Sequence, residues 1–221
     1  YLLMVAAVLT SCGEKKQTSE FPDWAWADFQ RPEGINPIVS PDTTTVFYCP
    51  MRQDSVAWES SDTFNPAATI YDGKVVVLYR AEDNSAVGIG SRTSRLGYAY
   101  SDDGLHFNRM TVPVFYPADD NQKELEWPGG CEDPRVAVTD DGLYVMLYTQ
   151  WNRKQARLAV ATSRDLQIWE KYGPAFAKAY GGRFFDEFSK SASIVTKLVD
   201  GKQVIAKIDG KYWMYWGEKF V

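Results

Sequence analysis

Three apolar segments, each preceded by an Asp-Gly pair, predict three β-hairpins of one repeating pattern. The segments are rich in β-branched or aromatic residues and occupy positions 74–79, 143–148 and 211–216. The glycines of the pairs recur at almost equal intervals, as Gly73, Gly142 and Gly210. Asp-Gly is a strong signal for a tight turn between antiparallel strands. We therefore also predict a strand before each pair, at 67–71, 136–139 and 204–208.

A second repeated element follows the first two hairpins. Residues 95–107 and 157–169 align, and in both a Ser-x-Asp triplet precedes an aromatic residue. Ser and Asp side chains can hydrogen-bond the backbone of such a turn, and the aromatic ring can pack beneath it. The repeat unit thus has about four short strands in roughly 60 to 70 residues, which is typical of a β-propeller blade. The alternative is a β-sandwich with coincidental turns.

This pattern predicts an all-β fold with two complete blades and the start of a third. A propeller closes its ring because closure protects the edges of its blades. We therefore expect further blades after residue 221, and we expect the 221 residues alone to be inactive.

The start of the chain differs from the rest. An apolar run at 2–9 is too short to span a bilayer as a mature helix, and residues 9–13, LTSCG, resemble a bacterial lipobox. We predict a partial lipoprotein signal peptide at 1–12 with lipidation at Cys12, a polar tether and lead-in at 13–34, and a partial propeller domain at 35–221. This interpretation anchors the protein to a membrane, in the periplasm or at the cell surface. The alternative is a strand-like apolar stretch that ends in a cysteine.

Charge and composition limit the chemistry. The formal net charge is −5, which argues against nucleic-acid binding because that needs a basic surface. The single histidine, His106, argues against His-based metal sites and catalytic triads. We expect no metal, since turn chemistry accounts for the acidic pairs at 102–103 and 119–120. Cys49 and Cys131 allow one disulfide or two buried free thiols.

Polar residues concentrate beside the hairpins, and the densest group is 129–135, GGCEDPR. Its two glycines allow close approach of another group to the backbone. A nearby cation favours a charged carboxylate, whereas the neighbouring carboxylates Glu132 and Asp133 raise one of their two pKa values. Such a pair suits the general acid of a glycosidase. The structural alternative is a capped turn in which Arg135 pairs with Glu132.

The segment 126–135, EWPGGCEDPR, resembles the signature of glycoside hydrolase family 130. Other segments agree with this family in the same order, at 64–67, 78–83, 156–163, 189–191 and 210–218. The resemblance implies a five-bladed β-propeller, of which this chain holds about the first two to three blades. It also implies action on β-mannosides, by inverting phosphorylases or by hydrolases.

By this resemblance Asp133 is the general acid, and in the family's phosphorylases its proton reaches the leaving oxygen through a sugar hydroxyl. Asn65 and Arg80 resemble the residues that hold the sugar next to the cleaved bond, since a planar amide and a guanidinium suit vicinal hydroxyls. Trp127 could stack on a sugar face or pack in the core. The further candidates for substrate binding are Glu82, Arg92, Arg95 and Arg135.

The acceptor distinguishes hydrolysis from phosphorolysis. An inverting phosphorylase holds phosphate in a cationic pocket, for which Arg153 and Lys190 are the candidates. An inverting hydrolase needs a carboxylate base, and Glu218 resembles that base by its position after the third aromatic strand. Its alternative role is a solvated strand end.

The chain has no histidine beside these two candidates, since His106 lies in the turn of the first repeat, so the cationic pocket is weak. This favours an inverting hydrolase acting on β-linked mannosides, such as manno-oligosaccharides or fragments of N-glycans or mannan. One alternative is a β-mannoside phosphorylase that releases mannose 1-phosphate, and another is a sugar-binding surface lipoprotein without catalysis. No cofactor is expected, apart from inorganic phosphate as the co-substrate of a phosphorylase. The expected partners are an oligosaccharide and, through the lipid anchor, a membrane.

Overall fold

The computed structural model describes residues 30–218, which are built predominantly from β-strands. The chain divides into two units at Gly34 and Ile35. Of the first unit only residues 30–34 are described, so the predicted signal peptide, Cys12 and most of the tether lie outside the described part. The second unit contains all the strands.

The first two repeats are antiparallel meanders. A short hairpin precedes them, formed by β1 (Phe47–Cys49) and β2 (Asp54–Val56). The first meander consists of β3 (Asp62–Tyr71), β4 (Lys74–Glu82), β5 (Ser94–Ser101) and β6 (Asn108–Arg109). After helix α1 (Lys123–Glu126), the second consists of β7 (Gly130–Val138), β8 (Tyr144–Trp151), β9 (Ala156–Ser163) and β10 (Glu170–Pro174).

The third repeat is less regular than predicted. After a 3₁₀ helix (Ala179–Gly182) come β11 (Ser189–Ile194), β12 (Thr196–Val199), β13 (Lys202–Ile205), β14 (Lys207–Ile208), β15 (Lys211–Tyr212) and β16 (Met214–Glu218). The single strand predicted at 204–208 is wrong, because an additional Asp-Gly turn at Asp200 pairs β13 with β12. The hairpin at Asp209 joins only the two-residue strands β14 and β15.

The Asp-Gly pairs form turns at all three predicted places. At Asp72 and Gly73 both residues have positive φ, 49° and 71°, as a type I′ turn requires. The pair at Asp209 repeats this geometry. The turn before β8 is longer, since the Thr139 amide donates to the Leu143 carbonyl oxygen at 2.9 Å.

The predicted Ser-x-Asp turns are confirmed in both repeats. The Ser101 hydroxyl accepts the amides of Asp103 and Gly104, and Asp103 Oδ1 accepts the next two amides, at 2.8 Å each. Ser163 and Asp165 make the same pattern. His106 contacts Asp103 through Nδ1 at 2.7 Å, within this turn.

The main core lies between the two meanders and includes Leu78, Leu96, Met146 and Tyr148, all nearly inaccessible to solvent. Cys49 and Cys131 are both buried and free, so they form no bridge with each other. No helix among residues 30–218 has the length and apolar character needed to cross a membrane.

Candidate active site

Strands β3, β7 and β11 each contain a β-bulge at an equivalent position. The register shifts lie between Phe64 and Ala67, between Glu132 and Arg135, and between Lys190 and Ser193. One residue in each bulge has a left-handed φ: Asn65 at 45°, Asp133 at 51° and Ser191 at 54°. A bulge changes the direction of a side chain and is common beside active sites.

The bulge in β7 explains how two adjacent carboxylates serve one site. In a regular strand Glu132 and Asp133 would point to opposite faces of the sheet. The left-handed backbone at Asp133 breaks this alternation. Both carboxylates consequently contact Arg80 and Lys190.

Asp133 is held by side chains from three other strands. Its Oδ1 accepts the Asn65 amide at 2.8 Å and lies 3.0 Å from Arg80 Nη1. Its Oδ2 lies 3.0 Å from Lys190 Nζ. The carboxyl group is therefore enclosed by donors, and the residue is 5% exposed.

Arg80 is the centre of the group. Its Nη2 lies 2.5 Å from Glu82 Oε1 and 2.8 Å from Glu132 Oε1. Its Nε donates to the Ser94 hydroxyl at 3.0 Å, and its guanidinium lies 4.5 Å from the centre of the Phe64 ring. We refer to the six polar residues Asn65, Arg80, Glu82, Glu132, Asp133 and Lys190 as the Arg80–Asp133 cluster.

The cluster carries more negative than positive charge. It contains the cations Arg80 and Lys190 and three carboxylates, those of Glu82, Glu132 and Asp133. Each cation already contacts at least two of these carboxylates. An additional anion would therefore have to compete with the carboxylates for them.

The partners of Asp133 determine its protonation. Burial acts to raise the pKa of Asp133, but the Asn65 hydrogen bond and the charges of Lys190 and Arg80 outweigh it and lower the pKa below its ordinary value. Asp133 is thus a carboxylate in the ligand-free protein. Lys190 shows the reverse, since burial lowers its pKa but Glu132 and Asp133 raise it overall.

A cavity of about 200 Å³ lies among the same three strands. Its lining includes Pro66 and Ala67 of β3, Arg135 and Val136 of β7, and Ser193 of β11. Pro66 lies within the first bulge, and the other four residues lie just after the bulges in sequence. The cavity and the cluster thus occupy consecutive segments of the same strands.

The structure brings five of the predicted site residues together: Asn65, Arg80, Glu82, Asp133 and Lys190. Arg92 reaches the edge of this group, with Nη1 3.5 Å from Glu82 Oε2. Arg135 lines the cavity and donates to the Pro134 carbonyl oxygen at 2.7 Å. The alternative pairing of Arg135 with Glu132 is not observed, because Glu132 pairs with Arg80 and Lys190.

Arg95 is placed outside the cluster, contrary to the predicted role in the substrate pocket. It is fully buried, 2.9 Å from Asp83 Oδ2, and its guanidinium lies 5.2 Å from the centre of the Phe47 ring. Alternation along β5 explains this, because Ser94 faces Arg80 and the next residue faces the opposite side. Arg95 therefore has a structural role.

Three other candidates have no described contact with the cluster. Trp127 is half-buried at the end of α1 and Arg153 is exposed in the turn after β8. The backbone of Glu218 pairs with Ser189 in the β11–β16 ladder, one residue from Lys190. The side chain of Glu218 lies outside the described part of the chain.

Sequence reasoning missed three contacts of Arg80, those with Glu132, Ser94 and Phe64. Ser94 belongs to no motif in the sequence, and it reaches Arg80 because β4 and β5 are paired, with Ser94 opposite Glu82. Gly130 of β7 lies directly against Ser94, since a Cβ there would lie 2.2 Å from the Ser94 carbonyl oxygen. The predicted close approach at the glycines is thus made by a neighbouring strand. Among residues 30–218, no group of three or more His, Cys, Asp or Glu residues could hold a metal ion.

Comparisons with known proteins agree on one family. The glycoside hydrolase family 130 model, described as beta-1,4-mannooligosaccharide phosphorylase, matches residues 30–220. A 1,2-beta-oligomannan phosphorylase from Thermoanaerobacter sp. (strain X514) is 36% identical over 152 residues, which cover 67% of this chain and 46% of that protein. A Beta-1,2-mannobiose phosphorylase from the same organism is 32% identical over 160 residues, 67% of this chain and 47% of its own length.

Solved structures extend the likeness. One, described with the words "The GH130 family of mannoside phosphorylases contains glycoside hydrolases that target beta-1,2 mannosidic linkages in Candida mannan", is 70% identical with a TM-score of 0.87, over 89% of this chain and 55% of its own. A glycosyl hydrolase from Bacteroides ovatus is 68% identical with a TM-score of 0.87, over 90% of this chain and 55% of its own. The chain therefore spans about half the length of the relatives that it matches. Its successive meanders and this likeness are consistent with a β-propeller-like fold.

Proposed function

The chain belongs to glycoside hydrolase family 130, and we propose that the protein cleaves β-1,2-mannosidic linkages with Asp133 as its general acid. The observation that carries this proposal is the convergence of Asn65, Arg80 and Lys190 on the Asp133 carboxylate at the bulge of β7. The β-1,2 linkage is named for both curated relatives and for the structure that is 70% identical.

The cluster suits a sugar with vicinal hydroxyls. The Asn65 amide has a second N–H and a carbonyl oxygen besides its bond to Asp133, so it can donate to one hydroxyl and accept from another. Arg80 orients the carboxylates around it. Asp133 acts on the leaving oxygen after the ligand has changed its surroundings, because in the ligand-free protein it is ionised.

Phosphorolysis is the first candidate for the reaction. The family model and both curated relatives are described as phosphorylases, so the comparisons support this alternative better than the hydrolysis that the sequence favoured. In this reaction Lys190 would turn from the carboxylates to phosphate, the nucleophile, and mannose 1-phosphate would be released. Phosphate is then the co-substrate, and no cofactor is needed.

Hydrolysis is the second candidate, and one observation favours it. The two cations of the cluster are already balanced by three carboxylates, which disfavours an incoming phosphate. The structure that is 70% identical is also described with words that name glycoside hydrolases. Glu218, next to Lys190 across the ladder, is the proposed base for water.

The remaining features of the whole protein are proposals as well. The five-bladed propeller rests on the resemblance of the sequence motifs, and the comparisons support a β-propeller-like fold without a blade count. Lipidation at Cys12 and a membrane location stay predictions, because Cys12 lies outside residues 30–218.

The test uses the complete protein with β-1,2-mannobiose, with and without inorganic phosphate, and chromatographic identification of the products. Release of mannose 1-phosphate only when phosphate is present would establish phosphorolysis. Free mannose formed at the same rate in both conditions would establish hydrolysis. Failure to cleave either β-1,2-mannobiose or longer β-1,2-mannosides would contradict the proposed function.

A further inference from the structure

Ser191 occupies the third of the three equivalent bulge positions. Unlike Asn65 and Asp133, it has no assigned role in the site. The first two, Asn65 and Asp133, are hydrogen-bonded to each other at 2.8 Å within the Arg80–Asp133 cluster. The residue before each bulge position also reaches the cluster. Phe64 lies over Arg80, Glu132 pairs with Arg80, and Lys190 pairs with Asp133.

The backbone of Ser191 is unusual for its residue type. Among residues 30–218, the non-glycine residues with positive φ inside strands are Asn65, Asp133 and Ser191. Asn and Asp are enriched in the left-handed region, but Ser is not. Sparsely populated backbone conformations of this kind cluster at active sites and ligand contacts.

Ser191 also presents a polar group to solvent at this place. It is exposed, as Asn65 is, whereas Asp133 is buried. The Ser191 hydroxyl takes part in none of the side-chain hydrogen bonds found among the described residues. A hydroxyl that both donates and accepts therefore stands at the bulge of β11, one residue after Lys190, which contacts Asp133.

We propose that the Ser191 hydroxyl is a ligand-binding group that contacts an oxygen of the bound reactants, either a hydroxyl of the mannoside or an oxygen of phosphate. The inference rests on the proposed function and adds a residue to that site. Equivalent bulges direct the side chains of Asn65 and Asp133 to one place, and the bulge in β11 has the same two-against-one pairing. Hydroxyl and phosphate oxygens are both suitable partners for a serine hydroxyl.

The test compares Ser191→Ala and Ser191→Gly in the complete protein. Both variants lose the hydroxyl, but glycine adopts the left-handed backbone without strain. We expect both to lower kcat/KM about tenfold, the scale of one lost hydrogen bond to a ligand, with an unchanged unfolding midpoint. Ser55→Ala, at an exposed serine of β2 outside the cluster, is the matched control and should keep full activity.

The reactant is identified by which KM rises. A higher KM for the mannoside assigns the contact to a sugar hydroxyl, and a higher KM for phosphate assigns it to phosphate. Full activity of Ser191→Gly would overturn the inference and leave the proposed function intact, because it would show that the hydroxyl contributes nothing. A wild-type protein without activity on any mannoside would overturn both.

Discussion

The described residues contain two groups of buried charged side chains, and the two groups differ in their surroundings. One is the Arg80–Asp133 cluster. The other, which we call the Glu126–Lys171 cluster, consists of Glu126, Tyr148, Gln150 and Lys171. In it Glu126 accepts from Lys171 Nζ at 2.5 Å, from the Tyr148 hydroxyl at 2.7 Å and from Gln150 Nε2 at 3.2 Å.

The two carboxyl groups have opposite pKa shifts. Burial raises the pKa of Glu126 despite the nearby Lys171, whereas the partners of Asp133 lower its pKa despite its burial. A raised pKa is the usual sign of a general acid. Glu126 nevertheless is fully enclosed between α1, β8 and β10 and is 0% exposed.

This difference shows that a shifted carboxyl pKa does not by itself identify an active site. The Arg80–Asp133 cluster lies at the bulges of three strands and includes the exposed Asn65 and the partly exposed Lys190. The Glu126–Lys171 cluster has no exposed member, and its register shift, between Lys171 and Gly173, lies in β10 alone. We infer that the second cluster stabilises the fold and the first performs the chemistry.

Asp133→Asn should produce the greatest effect and affect activity alone. Removing a general acid lowers the rate by about 10³-fold, and the amide can still accept from Arg80. The fold should tolerate the change, because it leaves two cations facing two carboxylates. Rates on β-1,2-mannobiose and urea unfolding measure the two properties, with Asp102→Asn at an exposed turn as the control. An active Asp133→Asn variant would show that Asp133 is not the acid.

Glu126→Gln should have the converse effect. It leaves the ammonium group of Lys171 buried beside an amide, although Asp120 remains 3.1 Å away. Breaking a buried ion pair costs about 3 kcal/mol of the free energy of unfolding, which urea unfolding would detect. The folded fraction should keep its specific activity. Glu124→Gln, at an exposed position of the same helix, should change neither property, and a stable but inactive Glu126→Gln variant would contradict the assigned roles.

Lys190→Met should shift the pH dependence of the reaction rate. Its effect on the free energy of unfolding should be smaller than that of Glu126→Gln. Asp133 faces Asn65, the cation of Arg80, the cation of Lys190 and the neighbouring Glu132, with Glu82 behind Arg80. Loss of the Lys190 charge removes one cause of the lowered pKa of Asp133, so this pKa rises. Asp133 then stays protonated to higher pH.

The alkaline limb of the kcat profile, which reports pKa values of the enzyme–substrate complex, should accordingly move to higher pH in Lys190→Met. Lys197→Met is the matched control, since Lys197 is exposed and lies 3.6 Å from Asp140, away from the cluster. We expect the profile of this control to match that of the wild type. A limb that stays in place in Lys190→Met would mean that Lys190 does not influence the acid.

Local chemistry accounts for the features that the sequence predicted well. The Asp-Gly pairs and the Ser-x-Asp triplets use side chains and backbone within a few residues, so their turns can be read without knowledge of the fold. The third repeat was predicted less well. Its strands are only two to six residues long, and a second Asp-Gly turn at Asp200 competes with the one at Asp209.

The prediction for Arg95 shows where local reasoning stops. Arg95 is adjacent to a residue that contacts Arg80, but β-strand alternation directs it to Asp83 on the opposite face. Glu132 and Asp133 are also adjacent, yet both join the cluster because the backbone at Asp133 is left-handed. Sequence adjacency therefore leads to opposite outcomes, and the local backbone conformation decides between them.

The amino-acid sequence was sufficient for the repeat, the turns and the motif that contains Glu132 and Asp133, because these depend on short-range chemistry and residue type. It also contained the resemblance to glycoside hydrolase family 130. The folded structure was needed for the convergence of Asn65 and Asp133, which are 68 residues apart, and for the free state of Cys49 and Cys131. These features depend on how β3, β7 and β11 approach one another, and long-range strand packing is not encoded in any single segment.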